Sequence, residues 1–177
     1  MAPRISTSFG ILLAGTIPLV AYSQVYMTED QAAKQILPAG ETAIRKTIEL
    51  TPQEIKTIEE RSGENVRNSN IVAWVDAKKN VVFVDQVLGK HEFITYAVGI
   101  SKSKQVSGIE VIEYRETYGS QVKEPGWKKQ FYGKTVADPL KVGTDITNIS
   151  GATLSSVHVT AGVRRLLQTY EIIRARL

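Results

Sequence analysis

Hydroxyls crowd one short turn: Ser150, Thr153, Ser155 and Ser156 fall within Ser150-Gly-Ala-Thr153-Leu-Ser-Ser156, where a long apolar-periodic run begins. Gly151 and Ala152 leave little bulk around Thr153, so a large group can reach its hydroxyl. Gly151 can also take backbone angles closed to other residues. A helix starting here presents unsatisfied N–H groups and the positive end of its dipole to the turn, which suits an anion even without a cationic side chain. A phosphate ester on Thr153 is the chemistry such a turn would support. The same residues have a plainer meaning, in which Ser155 or Ser156 caps the helix and Gly-Ala is a tight turn. The local pattern is compatible with both.

Other chemistries find less support. A serine hydrolase would pair Ser150 or Ser155 with His158, but the chain has no Gly-x-Ser-x-Gly elbow and His158 sits close to both serines on one helix start. With no cysteine, the chain cannot build a disulfide framework, an iron–sulfur cluster, a thiol-attached haem or a catalytic thiolate. Its two histidines, His91 and His158, lack metal-ligand spacing. No Gly-x-Gly-x-x-Gly follows a predicted strand, which argues against hydride transfer from a bound dinucleotide.

Ser150-Gly151-Ala152-Thr153, followed by Leu154-Ser155-Ser156, resembles the Ser/Thr-Gly-Ala-Thr motif of the FMN-binding domain family. That family includes the C subunit of the sodium-translocating NADH:quinone reductase and the G subunit of Rnf-type complexes. Upstream, Gly108-Ile-Glu-Val-Ile-Glu-Tyr-Arg-Glu-Thr117 and Trp127-Lys-Lys-Gln-Phe131-Tyr-Gly-Lys134 follow the family's order and approximate spacing. The resemblance runs from Ile71 to Leu167. It departs from the family pattern at Thr147, where an acidic residue usually stands three positions before the motif's Ser; Asn148 lies beside it and Asp145 two residues earlier. It departs again at Glu116-Thr117-Tyr118-Gly119, where the family has Glu-Thr-Pro-Gly.

The resemblance implies Thr153 as the residue that carries FMN through a phosphoester, attached by a separate flavin transferase, with Ser150, Gly151 and Ala152 completing the motif. It draws attention to Trp127 and Phe131, with Tyr132, as an apolar slot for the isoalloxazine; core packing is the alternative for each. Glu116 and Thr117 are expected to contact flavin or phosphate, or else to be surface strand residues. Lys134 is expected to pair with the phosphate, or else to be solvated. Because the redox chemistry belongs to the cofactor, the expected protein is an electron carrier rather than a stand-alone catalyst. It would take electrons from a membrane-bound redox partner, as a component of a complex or, as the chain's length suggests, a shuttle. The competing reading is an exported interaction domain whose threonine carries no flavin.

The elements that would position this site are legible in outline. Glu29 to Leu37 reads as a short helix ended by Pro38-Ala-Gly40. Ile44, Thr47, Ile48 and Leu50 read as an apolar connection, giving residues 24–66 a helical character. Thr51-Pro52-Gln-Glu54 is a helix start with a capping box, and Gly63 is its stop. Runs of β-branched and aromatic residues then predict strands at Ile71–Val75, Val81–Val87, Phe93–Ile100 and Gly108–Arg115, with turns at Asn80 and Gly89-Lys90. Short connections imply an antiparallel meander, and flanking helices make the class α+β. Ser120 to Val142 is the longest irregular stretch. The closing helix aligns Val159, Val163, Leu166, Tyr170, Ile173 and Leu177 on one apolar face, with Arg164, Arg165, Gln168, Glu171 and Arg174 on the other side.

At 177 residues, 42% hydrophobic and 23% charged, the composition is that of one globular domain plus a leader. Arg4 is the only charge before Glu29, Phe9 to Ala21 is apolar, and Ala21 and Ser23 supply the small residues of a cleavage site. Residues 1–23 therefore read as a signal peptide and 24–177 as the exported domain, periplasmic or otherwise extracytoplasmic. A retained anchor is the alternative, although Pro18 interrupts a core shorter than the ~20 residues a spanning helix needs. Lys102, Lys104, Lys123, Lys128, Lys129 and Lys134 cluster mid-chain with aromatic residues between them. For an exported protein this points to a phosphorylated cofactor more readily than to nucleic acid.

Overall fold

A computed structural model describes residues 24–116 and 118–177; the expected leader and Thr117 lie outside the described residues. The elements in chain order are β1 (Gln24–Val25), α1 (Glu29–Ile36), β2 (Ala43–Glu49), α2 (Pro52–Ser62), β3 (Asn70–Asp76), β4 (Val81–Leu88), β5 (Phe93–Ile100), β6 (Val106–Tyr114), α3 (Pro125–Lys128) and α4 (Thr153–Ile173). The strands form one antiparallel sheet in the order β1-β6-β5-β4-β3-β2. The class is α+β, as the residue pattern implies.

Local signals account for much of this. Thr51 and Glu54 close the predicted capping box at α2, and Gly63 ends that helix in the left-handed conformation, with φ 70°. Thr28 and Gln31 form a second capping box at α1. These reciprocal bonds satisfy amides that the first helical turn leaves without partners. Strands β3 to β6 are the predicted meander, each joined to the next by a short turn.

One segment differs from expectation. Ala43–Glu49 is the edge strand β2, paired along its whole length with β3 from Ala43↔Asp76 to Glu49↔Asn70. Residues 24–66 thus contribute two strands as well as two helices. Ile48 is buried but Ile44 is 67% exposed, so the segment lacks the clean alternation that marks a half-buried strand. Backbone pairing with β3, a non-local contact, makes it a strand.

Each sheet face carries helices. Against one face, α2 and α4 close over Phe83, Tyr96, Val98 and Ile109; the predicted apolar face of α4, including Val163, Leu166 and Ile173, is buried there. Against the other, Ala32 and Ala33 of α1, with Leu37 just after it, pack on Trp74, Val82, Ala97 and Ile112. The Trp74 indole N–H donates to Asp30 Oδ1 at 2.9 Å.

The polar side of α4 is not wholly polar in the fold. Arg165 is buried, and its guanidinium meets Asp85 of β4 at 2.5 Å, while the Tyr96 hydroxyl donates to the same carboxylate at 3.1 Å. Helical periodicity puts Arg165 on the polar side, whereas the fold buries it, because the approach of β4 supplies the carboxylate that makes its burial tolerable. Burial, and then the Asp85 charge, push the Tyr96 phenol well above its usual range. Tyr96 remains a neutral donor.

Gly162 lets α4 come this close. A Cβ there would lie 2.1 Å from the Tyr96 hydroxyl oxygen and 2.9 Å from Val87 Cγ1. Tyr96 is fully buried and held by Asp85, so it cannot move aside cheaply. Gly162→Ala is expected to destabilise the protein by about 2 kcal/mol, the overpacking cost exceeding the ~1 kcal/mol gain in helix propensity. A lower urea midpoint at unchanged slope would show it.

Candidate functional site

Helix α4 begins at Thr153, with Ala152 as its N-cap and no side chain capping it. The plainer reading of the motif, with Ser155 or Ser156 as the cap, therefore does not hold. Both serines are buried inside the first turn and tie it down from within. Tyr114 donates its hydroxyl proton to the Tyr118 carbonyl at 2.5 Å, so Ser155 Oγ, 2.9 Å away, donates to the Tyr114 oxygen. Ser156 Oγ reaches Asn148 Oδ1 at 2.9 Å and the Thr153 carbonyl at 3.0 Å. Gly151 takes the left-handed conformation, with φ 79°, which a residue with a side chain adopts only at a cost. The turn closes with the Ala152 amide on the Ile149 carbonyl at 2.9 Å.

Thr153 itself is exposed, and its hydroxyl oxygen accepts from Asn148 Nδ2 at 3.1 Å. The first amide to donate into the helix is that of Ser156, to the Ala152 carbonyl at 2.9 Å. The amides of Thr153, Leu154 and Ser155 thus stand at the positive end of a 21-residue helix.

This helix start forms one wall of a cavity of about 580 Å³, lined by Gly151 to Ser155 on one side and by Lys90, His91, Glu116 and Tyr118 on the other. The size is in the range of cofactor pockets. The donor set suits a phosphate: an uncapped helix N-terminus faces a turn bearing Lys90 and His91. Leu154, Tyr118 and Ala152 supply apolar surface.

The facing turn is held by Glu116. Its Oε1 accepts from the amides of His91 at 2.5 Å and Glu92 at 3.0 Å, gripping the hairpin between β4 and β5. Gly89 is needed for this contact, since a Cβ there would lie 2.6 Å from Glu116 Oε1. Burial raises the carboxyl's pKa, but the amides of Glu92, His91 and Lys90 outweigh it and hold the group below its ordinary value of 4.5. A depressed carboxyl contributes stability above its unfolded pKa and loses it as pH falls through the folded one. Glu116→Gln is therefore expected to lose less stability than the wild type when the pH is lowered from 7 to below about 4. Urea titrations of both proteins at the two pH values check this.

Of the residues expected at the site, Thr153, Gly151, Ala152 and Glu116 line this cavity, and Ser150 is exposed just outside it. Trp127, Phe131 and Lys134 lie elsewhere. Trp127 and Phe131 pack edge to face at 4.9 Å within the core, and Phe131 is fully buried. The Trp127 indole donates to the Thr147 carbonyl at 2.9 Å, and the Thr147 amide donates to Gln130 Oε1 at 2.8 Å. This segment braces the loop leading into the motif rather than lining the cavity. Lys134 is paired with Asp145 at 3.0 Å and Asp138 at 3.5 Å. The hydrogen bond to Asp145 holds the Lys134 ammonium above its usual pKa. Tyr132 is half-exposed and also outside the cavity lining.

Lys90, His91, Tyr118, Leu154 and Ser155 line the cavity, although residue types alone do not mark them as ligand contacts. Gly89-Lys90 is visible in sequence only as a turn; that this turn faces residue 153 is a tertiary fact. The lysine cluster is dispersed into separate contacts: Lys128 with Glu110, Lys104 with Glu171, and Lys123 over the Tyr26 ring. The His158 ring nitrogen meets the Leu88 carbonyl, and Ser155 bonds Tyr114, so these residues form no catalytic pair.

Comparison with known proteins agrees with the motif. The model of the FMN-binding domain family matches residues 89–168, a span that includes the turn at Lys90 and His91, Glu116 and the whole start of α4. Over 82 residues the chain is 38% identical to the G subunit of the Na(+)-translocating ferredoxin:NAD(+) oxidoreductase complex of Acetobacterium woodii. That alignment covers 41% of this chain and 40% of the relative, so well under two thirds of the relative's length is represented. With the fold, the cavity and the Ser150-Gly-Ala-Thr153 turn, these matches show that residues 89–168 resemble the FMN-binding domain family and support FMN as the cofactor.

Proposed function

We propose that this protein is an exported electron carrier in which FMN is joined through a phosphoester to Thr153. The observation that carries the reading is the exposed Thr153 hydroxyl, standing at an uncapped helix start on the edge of a 580 Å³ cavity. In such a carrier, FMN supplies the reversible uptake and release of electrons. The chain's own residues bind and orient. The first-turn amides of α4, with Lys90 and His91, hold phosphate charge, while Leu154 and Tyr118 shield one face of the ring system.

A covalent link suits a protein outside the cytoplasm, where dissociated FMN would be diluted away. Residues 1–23 are proposed to direct export and 24–177 to form the exported domain. A flavin transferase would attach the cofactor. The similarity to one component of a sodium-translocating oxidoreductase complex supports a membrane-bound redox partner as donor, with an extracytoplasmic acceptor. Among the described residues no helix is long and apolar enough to cross a membrane.

A second reading, an exported domain without covalent flavin, is favoured by Thr147 alone, which stands where the family carries an acid. Co-production with a flavin transferase separates the two. Intact mass should rise by one FMN less water, and the flavin absorbance should bleach on reduction and return on reoxidation. A wild-type protein of unmodified mass would overturn the covalent reading.

A further inference from the structure

We infer that Asn148 is the positioning residue of the attachment site, fixing the Thr153 hydroxyl in the orientation that receives the flavin phosphate; this rests on Thr153 being the attachment residue. Asn148 Nδ2 donates to Thr153 Oγ1 at 3.1 Å, and Asn148 Oδ1 accepts from Ser156 Oγ at 2.9 Å. Ser156 is fully buried, so it anchors the amide from the protein side. The residue before Asn148 is fixed as well, because both backbone groups of Thr147 are bonded, the amide to Gln130 and the carbonyl to Trp127. The core aromatic segment thereby reaches Thr153 through Thr147 and Asn148.

The other threonines of α4 provide the contrast. Thr160 Oγ1 donates back to the Ser156 carbonyl at 2.6 Å, and Thr169 Oγ1 to the Arg165 carbonyl at 3.0 Å. A helical threonine commonly spends its proton this way. Thr153, in the first turn, instead accepts from Asn148, and its own O–H is not committed by that bond. An exposed threonine otherwise samples several staggered side-chain wells. Asn148 selects one of them.

Attachment forms a bond from Thr153 Oγ1 to the flavin phosphorus. It breaks the phosphorus–oxygen bond to the leaving group of an activated flavin nucleotide. The hydroxyl proton leaves to a base on the transferase, and no electrons are exchanged. An amide cannot take that proton, so Asn148 acts by placement. Afterwards the same N–H faces the ester oxygen and restrains the tether.

Asn148→Ala and the near-isosteric Asn148→Leu, which lacks the N–H and adds no charge, test this alongside wild type. The rate of flavin attachment by the transferase is followed by intact mass, and the Thr153 side-chain torsion by three-bond NMR couplings in unmodified protein. Both variants are expected to slow attachment about fivefold, the effect of one neutral hydrogen bond, with an unchanged pH profile and melting temperature and with averaged Thr153 couplings. Variants that attach flavin at the wild-type rate, or that keep a single Thr153 rotamer, would overturn the inference while leaving Thr153 as the attachment residue. A wild type that takes no flavin would remove the attachment reading itself, and this inference with it.

Discussion

Thr153→Ala is expected to abolish covalent flavin completely while leaving the fold and its stability nearly unchanged. A phosphoester requires an oxygen at this position, and alanine offers none. The neighbouring hydroxyls cannot substitute. Ser155 and Ser156 are buried and bonded to Tyr114 and Asn148, and Ser150 lies outside the cavity, before the helix. The structural cost is small because Thr153 is exposed and its side chain gives up one hydrogen bond, from Asn148. Alanine at the first position of a helix also carries no propensity penalty. Thr153→Ser, which keeps the hydroxyl, should retain the flavin. Fluorescence of the denatured protein in a gel reads all three cases: present for wild type and Thr153→Ser, absent for Thr153→Ala. Covalent flavin surviving in Thr153→Ala would place the link elsewhere.

The largest effect on stability is expected at Asp85. Its carboxylate meets the Arg165 guanidinium at 2.5 Å and accepts from Tyr96 at 3.1 Å, in a setting where Arg165 is 6% exposed and Tyr96 not at all. Burial disfavours the charged guanidinium, but the Tyr96 and Asp85 groups outweigh it and hold Arg165 above its usual pKa, so it stays charged. Asp85→Ala would strand that charge and leave the phenol without its acceptor. Breaking a buried pair from one side costs about 3–5 kcal/mol. An exposed pair such as Lys56 with Glu60 contributes far less, because solvent screens it. Urea denaturation should therefore show a large fall in midpoint for Asp85→Ala and almost none for Glu60→Ala. Equal effects at the two sites would mean that the buried cluster is hydrated or relaxes in the variant. Because α4 carries both Arg165 and Thr153, loosening this cluster is also expected to slow flavin attachment.

The residue order alone determined the parts of this protein that depend on near neighbours. Thr51 and Glu54 are three residues apart, so their capping box is written locally, as is the left-handed stop at Gly63. The β-branched and aromatic runs mark β3 to β6 as strands, and the four-and-three spacing of Val159 to Ile173 specifies the apolar face of α4. The Ser-Gly-Ala-Thr turn is local too, and Gly151 does adopt the positive φ that the turn requires.

Tertiary structure decided what depends on residues far apart in the chain. Ala43–Glu49 becomes a strand because β3 lies beside it, not because its own pattern demands one. Arg165 is buried because β4 brings Asp85 to it, 80 positions away in sequence. Trp127 and Phe131 look like ring-binding aromatics in a motif, yet they fill the core and brace Thr147. The second wall of the cavity comes from the Lys90 and His91 turn, which Glu116 pins from 25 residues away. Capping and periodicity are satisfied within one or two turns of chain, so they can be read from residue types. A cavity is the space between elements, and its lining exists only once the sheet and α4 have met.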